Sequence, residues 1–446
     1  MKAERFIQKL KENEPIQELA TNPLLLTMLC LVFGENADFP ANRSELYKEG
    51  LDVLLKKWDA KRNIERDQVY KNLSLQRKED LLSQIALTTF EQKDYFFKQK
   101  TVEAYIANFI RNLRDADPNP EVLRLDSEAV LKSIEAQHGL LVERAKGLYS
   151  FSHLTFQEYF AAREIVANSA WESLVEHITD KHWREVFLLT TGMLRKADDL
   201  VRLIKQKIDG LVGPDPKLQQ FLTWLNQKAV TVNNSYKPAA IRAVYFSFIC
   251  AHTRDRVIVD NYEVGLAASI EKPSYGNKYW FQYNIRSAFR REFSLLRNLN
   301  YVCVYSEKLV NSRSRSRSYA YKLEKCLNTA IKRARLDLKY LLKEFKEKIS
   351  SPNLDSERHK KWWKLNGEDL SKTFRNLLIE NCNIGHDWQF SHAQMQLLQQ
   401  YYDSNQLLME CLNSDCYVSR NVRQEIEDTL LLPMSEIEKR QQGKVD

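Results

Sequence analysis

The residues of this 446-residue chain whose types and spacing suit chemistry point to binding rather than to bond making. His153 stands in Phe151-Ser-His153-Leu-Thr-Phe156, where strand-like alternation gives way to helical spacing. An imidazole there can donate to a phosphate oxygen, or it can cap the helix that follows. Arg313-Ser-Arg315-Ser-Arg317-Ser318 is a short, biased cationic run, and Lys332, Arg333 and Arg335 follow it closely; such residues attract phosphates or an acidic protein surface. Cys382 with His386, and Cys411 with Cys416, offer zinc donors, but neither pair has the short Cys-x-x-Cys knuckle that usually marks a zinc site, so buried thiols and a hydrogen-bonded or solvent-facing imidazole are expected. The sequence contains no Gly-x-x-x-x-Gly-Lys-Ser/Thr, no apolar strand ending in paired acids for magnesium, no nucleophile elbow and no His-Glu-x-x-His. The chain by itself is therefore expected to be no enzyme and to hold no cofactor or metal.

Charge is unevenly spread. The whole chain carries +8, yet residues 272–364 hold 23 Lys and Arg against 8 Asp and Glu. That block would attract nucleic acid or an acidic partner. Its runs, such as Lys332-Arg333-Ala-Arg335-Leu-Asp-Leu-Lys339, also alternate with apolar residues at helical spacing, and this favours the solvated faces of long helices. Seven scattered cysteines do not make a disulfide scaffold, so reduced thiols are expected. The longest apolar run, Pro23 to Phe33, is about half of what spans a bilayer and reads as a buried helix. The mixed-charge segment before it is a poor signal peptide. A cytoplasmic protein without a membrane partner is expected.

With only 12 Gly and 11 Pro, turns are scarce and a mostly helical protein follows. Phe6, Ile7 and Leu10 mark a first helix, Pro23 opens a second, and Gly34 to Asn42 reads as a loop. Leu46, Leu51, Leu54, Leu55 and Trp58 keep a helical period, as do Leu81, Leu82, Ile85, Ala86 and Phe90, and then Val102, Ile106, Phe109 and Ile110. Asp115 to Pro120 reads as a linker. Asp126 or Ser127 caps a helix that ends at Gly139; Leu140–Arg144 and Leu148–Ser152 form a hairpin around Ala145-Lys146-Gly147; Thr155 starts another helix. Helices, a hairpin wing and a closing helix describe a winged-helix domain. Its candidate recognition helix, Ser127 to Gln137, has one Lys, two Glu and no Arg, which suits protein contact better than DNA phosphates. Beyond Asn168, the apolar cores around Trp183–Leu189, Phe221–Leu225 and Ile241–Phe246, separated by turns at Asp209–Pro216 and Asn233–Pro238, read as stacked helical hairpins. Helix, loop and helix from Trp388 to Leu430 follow, and Pro433 with a polar tail closes the chain.

Asn22-Pro23-Leu24-Leu25-Leu26, taken with Phe151-Ser-His153-Leu-Thr-Phe156-Gln157-Glu158-Tyr159-Phe160-Ala161-Ala162, resembles the NACHT class of signalling NTPases over residues 16 to 165. The segment Trp183–Leu189 looks like the helical domain that follows the winged helix in that family. The region after Lys237, above all Cys411 to Arg420, is similar to C-terminal helical domains of bacterial NACHT proteins. The resemblance implies four parts: a small helical domain remnant at 1–42, a winged-helix domain at 43–168, a second helical domain at 169–236 and a C-terminal helical domain at 237–446. It implies that Pro23 packs beside the adenine of ADP and that His153 contacts the β-phosphate in an intact assembly. Exchange of ADP for ATP with magnesium would then swing the winged helix and expose an oligomerisation surface. Since the phosphate loop is missing, the implied partners are a separate P-loop NTPase chain and an effector protein, and the implied role is regulation of a bacterial signalling, anti-phage switch. The alternatives are an independent helical adaptor that binds nucleic acid or an acidic protein through residues 272–364, and the remnant of a truncated gene.

Overall fold

Phe6, Ile7 and Leu10 lie on helix α1 (Lys2–Glu12), and Pro23, whose fixed φ and missing N–H suit a first turn, opens α2 (Pro23–Asn36). The structure, a computed structural model, describes residues 2–12, 16–17, 20–21, 23–40, 43–61, 73–113, 119–232, 235–255, 264–271, 278–290, 292–297, 316–334, 336–349, 356–414 and 416–443. These divide into two packing units, residues 1–210 with 403–426, and residues 211–402 with 427–446.

In the first unit, α2 runs past Gly34, where a loop was expected, and stops at Ala37, which adopts a left-handed φ of 55°. A single helical glycine costs only about 1 kcal/mol, and Phe33, one residue before it, packs against Phe6 and Phe39. Helix α3 (Arg43–Lys61) lies against α2 at Gly50, where a Cβ would overlap the Met28 methyl and approach its Cβ to 3.3 Å. Helix α4 (Leu75–Glu91), capped by Ser74, buries Leu81, Leu82, Ile85, Ala86 and Phe90.

Strand β1 (Phe97–Lys98), helix α5 (Gln99–Arg111), helix α6 (Pro120–His138), strands β2 (Leu141–Ala145) and β3 (Leu148–Phe151) and helix α7 (Leu154–Asn168) complete a winged helix. The sheet has three strands in the order β1-β3-β2, rather than a hairpin alone. Phe97 pairs with Tyr149 and Lys98 with Leu148. Two residues carry no alternation that a sequence pattern would show. Helix α6 begins at Pro120 and not at Ser127: Asn119 accepts from the Glu121 N–H at 3.0 Å, and proline occupies the first turn. The residues before it, 114–118, lie outside the described ones. Gly139 ends α6 with φ 57°, as expected. Arg163 of α7 bonds Asp80 at 3.0 Å and Glu79 at 3.1 Å, which ties α7 to α4.

Helix α8 (Trp171–Glu176), a short 3-10 turn (Lys181–Trp183), α9 (Arg184–Met193) and α10 (Asp198–Val212) follow. Helix α10 continues through Asp209, where a turn was expected, because Asp209 is buried and pairs with Lys205 one turn earlier. Residues 403–426 belong to this unit: Arg184 pairs with Glu410 at 2.8 Å, Lys181 with Asp403 at 3.0 Å, and Ala197 N–H donates to Tyr417 O at 2.9 Å.

One joint of this unit is expected to respond to pH. His182 stacks on Phe90 with ring centroids 4.1 Å apart and meets the Tyr95 hydroxyl at 3.0 Å, while Asp180 caps its N–H and holds Lys93 at 2.8 Å. Burial holds His182 below its ordinary value of 6.5, Asp180 opposing the shift and Lys93 adding to it. The neutral ring is favoured in the folded state, so this contribution is complete above about pH 6.5 and is lost as pH falls toward the lower folded value. Urea unfolding at successive pH values should show stability declining through that window, and His182→Phe, which stacks without titrating, should flatten the decline. An unchanged slope in the variant would refute the assignment.

The second unit stacks helical hairpins, as expected. Helix α11 (Pro216–Thr231), capped by Asp215, packs on α12 (Pro238–Asp255). Helices α13 (Gly265–Glu271) and α14 (Lys278–Ala288) continue the stack. Helices α15 (Ser316–Arg333), α16 (Leu336–Glu347) and α17 (Ser356–Cys382) enclose Leu323, Leu327, Leu342, Phe345, Trp363 and Phe374. Ser316 to Ser318, the end of the biased cationic run, are the first turn of α15. Helix α18 (His392–Asn413) contributes residues 392–402 here, and α19 (Arg420–Thr429) ends here. After Pro433 the expected polar tail is helix α20 (Met434–Gln442), which buries Ile437.

Candidate functional site

The end of β3 and the start of α7 present His153. Ser152 N–H donates to Leu140 O at 2.8 Å, and Phe156 N–H to His153 O at 3.1 Å, so the strand stops and the helix starts within three residues. His153 is the N-cap residue, with extended φ −145° and ψ 141°. Its Nδ1 accepts from the Thr155 N–H at 3.2 Å and lies 2.7 Å from the Thr155 hydroxyl. A ring nitrogen that accepts from a backbone N–H carries no proton, so the neutral ring holds its hydrogen on Nε2. Among the described residues Nε2 has no hydrogen-bond partner, and His153 is exposed. The two sequence alternatives, cap and donor, are therefore compatible: one nitrogen caps while the other offers an N–H outward.

Pro23 is also exposed, and its carbonyl accepts from the Thr27 hydroxyl at 2.9 Å. Leu25, Met28, Leu29, Val32 and Phe33 bury the opposite part of α2. Helix α2 packs on α3, and α7 packs on α4 and α9; no hydrogen bond joins Pro23 to His153.

Residues 43–165 match the family described as the winged helix-turn-helix domain C-terminal to NACHT, and residues 338–433 match NACHT C-terminal Helical domain 2. The chain thus contains a winged helix of the kind that lies C-terminal to NACHT and a NACHT C-terminal helical domain 2. No curated protein matches it. The matched winged helix contains α3 to α7 with its three strands, and His153 closes its wing; the matched C-terminal helical domain extends from α16 past the end of α19.

The remaining candidates fall differently. Lys332 is exposed on α15, on the side away from Leu323, Leu327 and Ala330. Arg317 and Arg333 lie in α15 but their side chains are outside the described residues, as are Arg313, Arg315, Arg335 and Cys303 altogether. Lys346, in the same basic block, is already engaged by Glu324 at 3.2 Å and Asn328 at 2.9 Å. Cys411 is buried, and burial pushes its thiol up to about 12; the Cys416 thiol donates to the Cys411 carbonyl at 3.1 Å. His386 lies 2.8 Å from the Asn383 side-chain oxygen and is held below the usual histidine range by burial. Among the described residues no group of three or more His, Cys, Asp or Glu is placed to hold a metal ion, and no helix is long and apolar enough to cross a membrane.

Proposed function

We propose that this chain is the regulatory part of a bacterial NACHT-type switch, reading the nucleotide state of a P-loop domain that these 446 residues do not contain. The observation that supports it best is the His153 cap: Nδ1 is used by the protein, and Nε2–H is left to meet an anion. Pro23, exposed at the first turn of α2, would pack beside the adenine of the same ADP. Loss of these contacts on exchange for ATP with magnesium biases a two-state element, here the winged helix and everything after it, toward oligomerisation. The role fits a cytoplasmic signalling or anti-phage system acting through an effector protein.

The winged-helix domain is proposed to contact protein rather than DNA. On α6 Arg124 is paired with Glu121 at 2.8 Å and Lys132 with Glu128 at 2.7 Å, so the cations of that helix face carboxylates of their own helix. Phosphate binding would need unspent positive charge there.

The test is ADP affinity of the chain together with its P-loop domain, for wild type and His153→Ala. A lost hydrogen bond to a charged group is worth about 1.5–3 kcal/mol, so affinity should fall by roughly tenfold or more. Equal affinities would remove His153 from the nucleotide site.

A further inference from the structure

The register of the wing hairpin breaks between Glu143 and Ala145: Glu143 faces Tyr149, Ala145 faces Leu148, and Arg144 is the extra residue. A bulge of this kind re-aims one side chain out of the regular alternation. Arg144 uses that freedom to lie back along β3. Its Nε donates to the Ser150 hydroxyl at 2.9 Å, and its Nη2 donates to Ser152 O at 2.8 Å and more weakly to Phe151 O at 3.4 Å. Ser150 in turn donates to Phe151 O at 2.8 Å. One guanidinium therefore grips the three residues immediately before His153.

Resting on the proposed nucleotide contact, we infer that Arg144 is a positioning residue for His153: the bulged arginine fixes the last peptide of β3 so that Nδ1 caps Thr155 and Nε2–H is held outward. The planar, forked donor set suits this work, since one rigid group satisfies a hydroxyl and two carbonyls at once, which the single ammonium of lysine does not. If the Ser152 carbonyl is released, the extended backbone of His153 keeps only the Ser152 N–H to Leu140 O bond upstream, and the ring is held less firmly in the acceptor role at Nδ1.

The full chain, labelled with 15N at the ring nitrogens of its 8 histidines, reports this directly. His153→Asn identifies the His153 signals. In wild type at pH 7.5 the two ring nitrogens should be widely separated, with the protonated one at Nε2. Arg144→Ala should collapse that separation toward the average of exchanging tautomers, with helical circular dichroism unchanged; Arg144→Lys should not restore it. If Arg144→Ala fails to fold, Ser150→Ala removes the hydroxyl that receives Nε–H and should give a smaller shift of the same sign. Unchanged His153 signals in a folded Arg144→Ala protein would overturn the inference, leaving Arg144 a wing stabiliser only. Adding ADP to the wild-type chain with its P-loop domain separates the two proposals: a tautomer lost in Arg144→Ala while ADP leaves wild-type His153 unmoved would keep the positioning role and discard the nucleotide contact.

Discussion

Arg242→Met should destabilise the second unit by about 1.5–4.5 kcal/mol, because it leaves the buried Leu430 carbonyl without its donor at about 1–3 kcal/mol and removes a second, part-buried hydrogen bond to the Asp428 carbonyl worth about 0.5–1.5 kcal/mol. Arg242 is 2% exposed, on α12. Its Nε donates to Leu430 O at 2.8 Å and its Nη2 to Asp428 O at 2.9 Å, at the point where α19 ends. Burial pulls its guanidinium down to about 10, with Arg440 adding to the shift, yet it stays charged at neutral pH. The carbonyls at a helix C-terminus carry the negative end of the helix dipole, and they compensate a cation that has no carboxylate among these hydrogen-bond partners. Methionine fills much of the volume, so the loss measures the hydrogen bonds rather than a cavity. Urea denaturation, followed by hydrogen exchange in the segments 238–255 and 427–442, reads it. A loss below about 0.5 kcal/mol, the level of a neutral surface substitution, would contradict the assignment.

Glu292→Ala should cost about 3–5 kcal/mol, the usual penalty for stranding a buried charge. Its partner Lys228 is 3% exposed; Nζ meets Glu292 Oε2 at 2.8 Å and Cys382 O at 2.7 Å, and lies 5.3 Å from the centre of the Tyr245 ring. The Tyr245 hydroxyl donates to the same carboxylate oxygen. Removing Glu292 alone leaves the ammonium facing one carbonyl and a ring. Removing both charges, in Lys228→Met with Glu292→Leu, should recover much of the loss, since the buried ammonium is then gone and the partly exposed Glu292 site accepts an apolar residue of similar size. The double-mutant cycle should therefore be strongly non-additive, and simple addition of the two single effects would show that the pair is not coupled.

Local features of this fold were legible in the sequence because they obey local rules. Leu81, Leu82, Ile85 and Phe90 repeat at helical spacing and are buried on α4; Gly139 sits just past a helix end and adopts a left-handed φ; the wing turn lies where Lys146-Gly147 places it. Pro120 misled because proline both breaks a helix and starts one, and only the Asn119 cap decides between them. Strand β1 is two residues long and exists because β3 is there to pair with it. Nothing in the composition of 403–426 marks its packing with residues 1–210, since contacts such as Arg184 with Glu410 join positions 226 apart. Lys228, Arg242 and Glu292 escaped notice for the same reason. Charged residues inside helices read as solvated until their partners are seen, the Cys382 carbonyl and Glu292 for Lys228 and carbonyls 186 and 188 residues away for Arg242. His153 was visible as a residue type, but the cap that sets its tautomer depends on geometry at the strand end.

The most direct measurement is purification of the tagged protein in its native form from its own cells, with mass spectrometry of everything recovered and extraction of bound nucleotide. The expected result is a P-loop domain, in the same polypeptide or in a tightly bound one, with one ADP retained per assembly. Recovery of this chain with neither a P-loop domain nor nucleotide would contradict the switch.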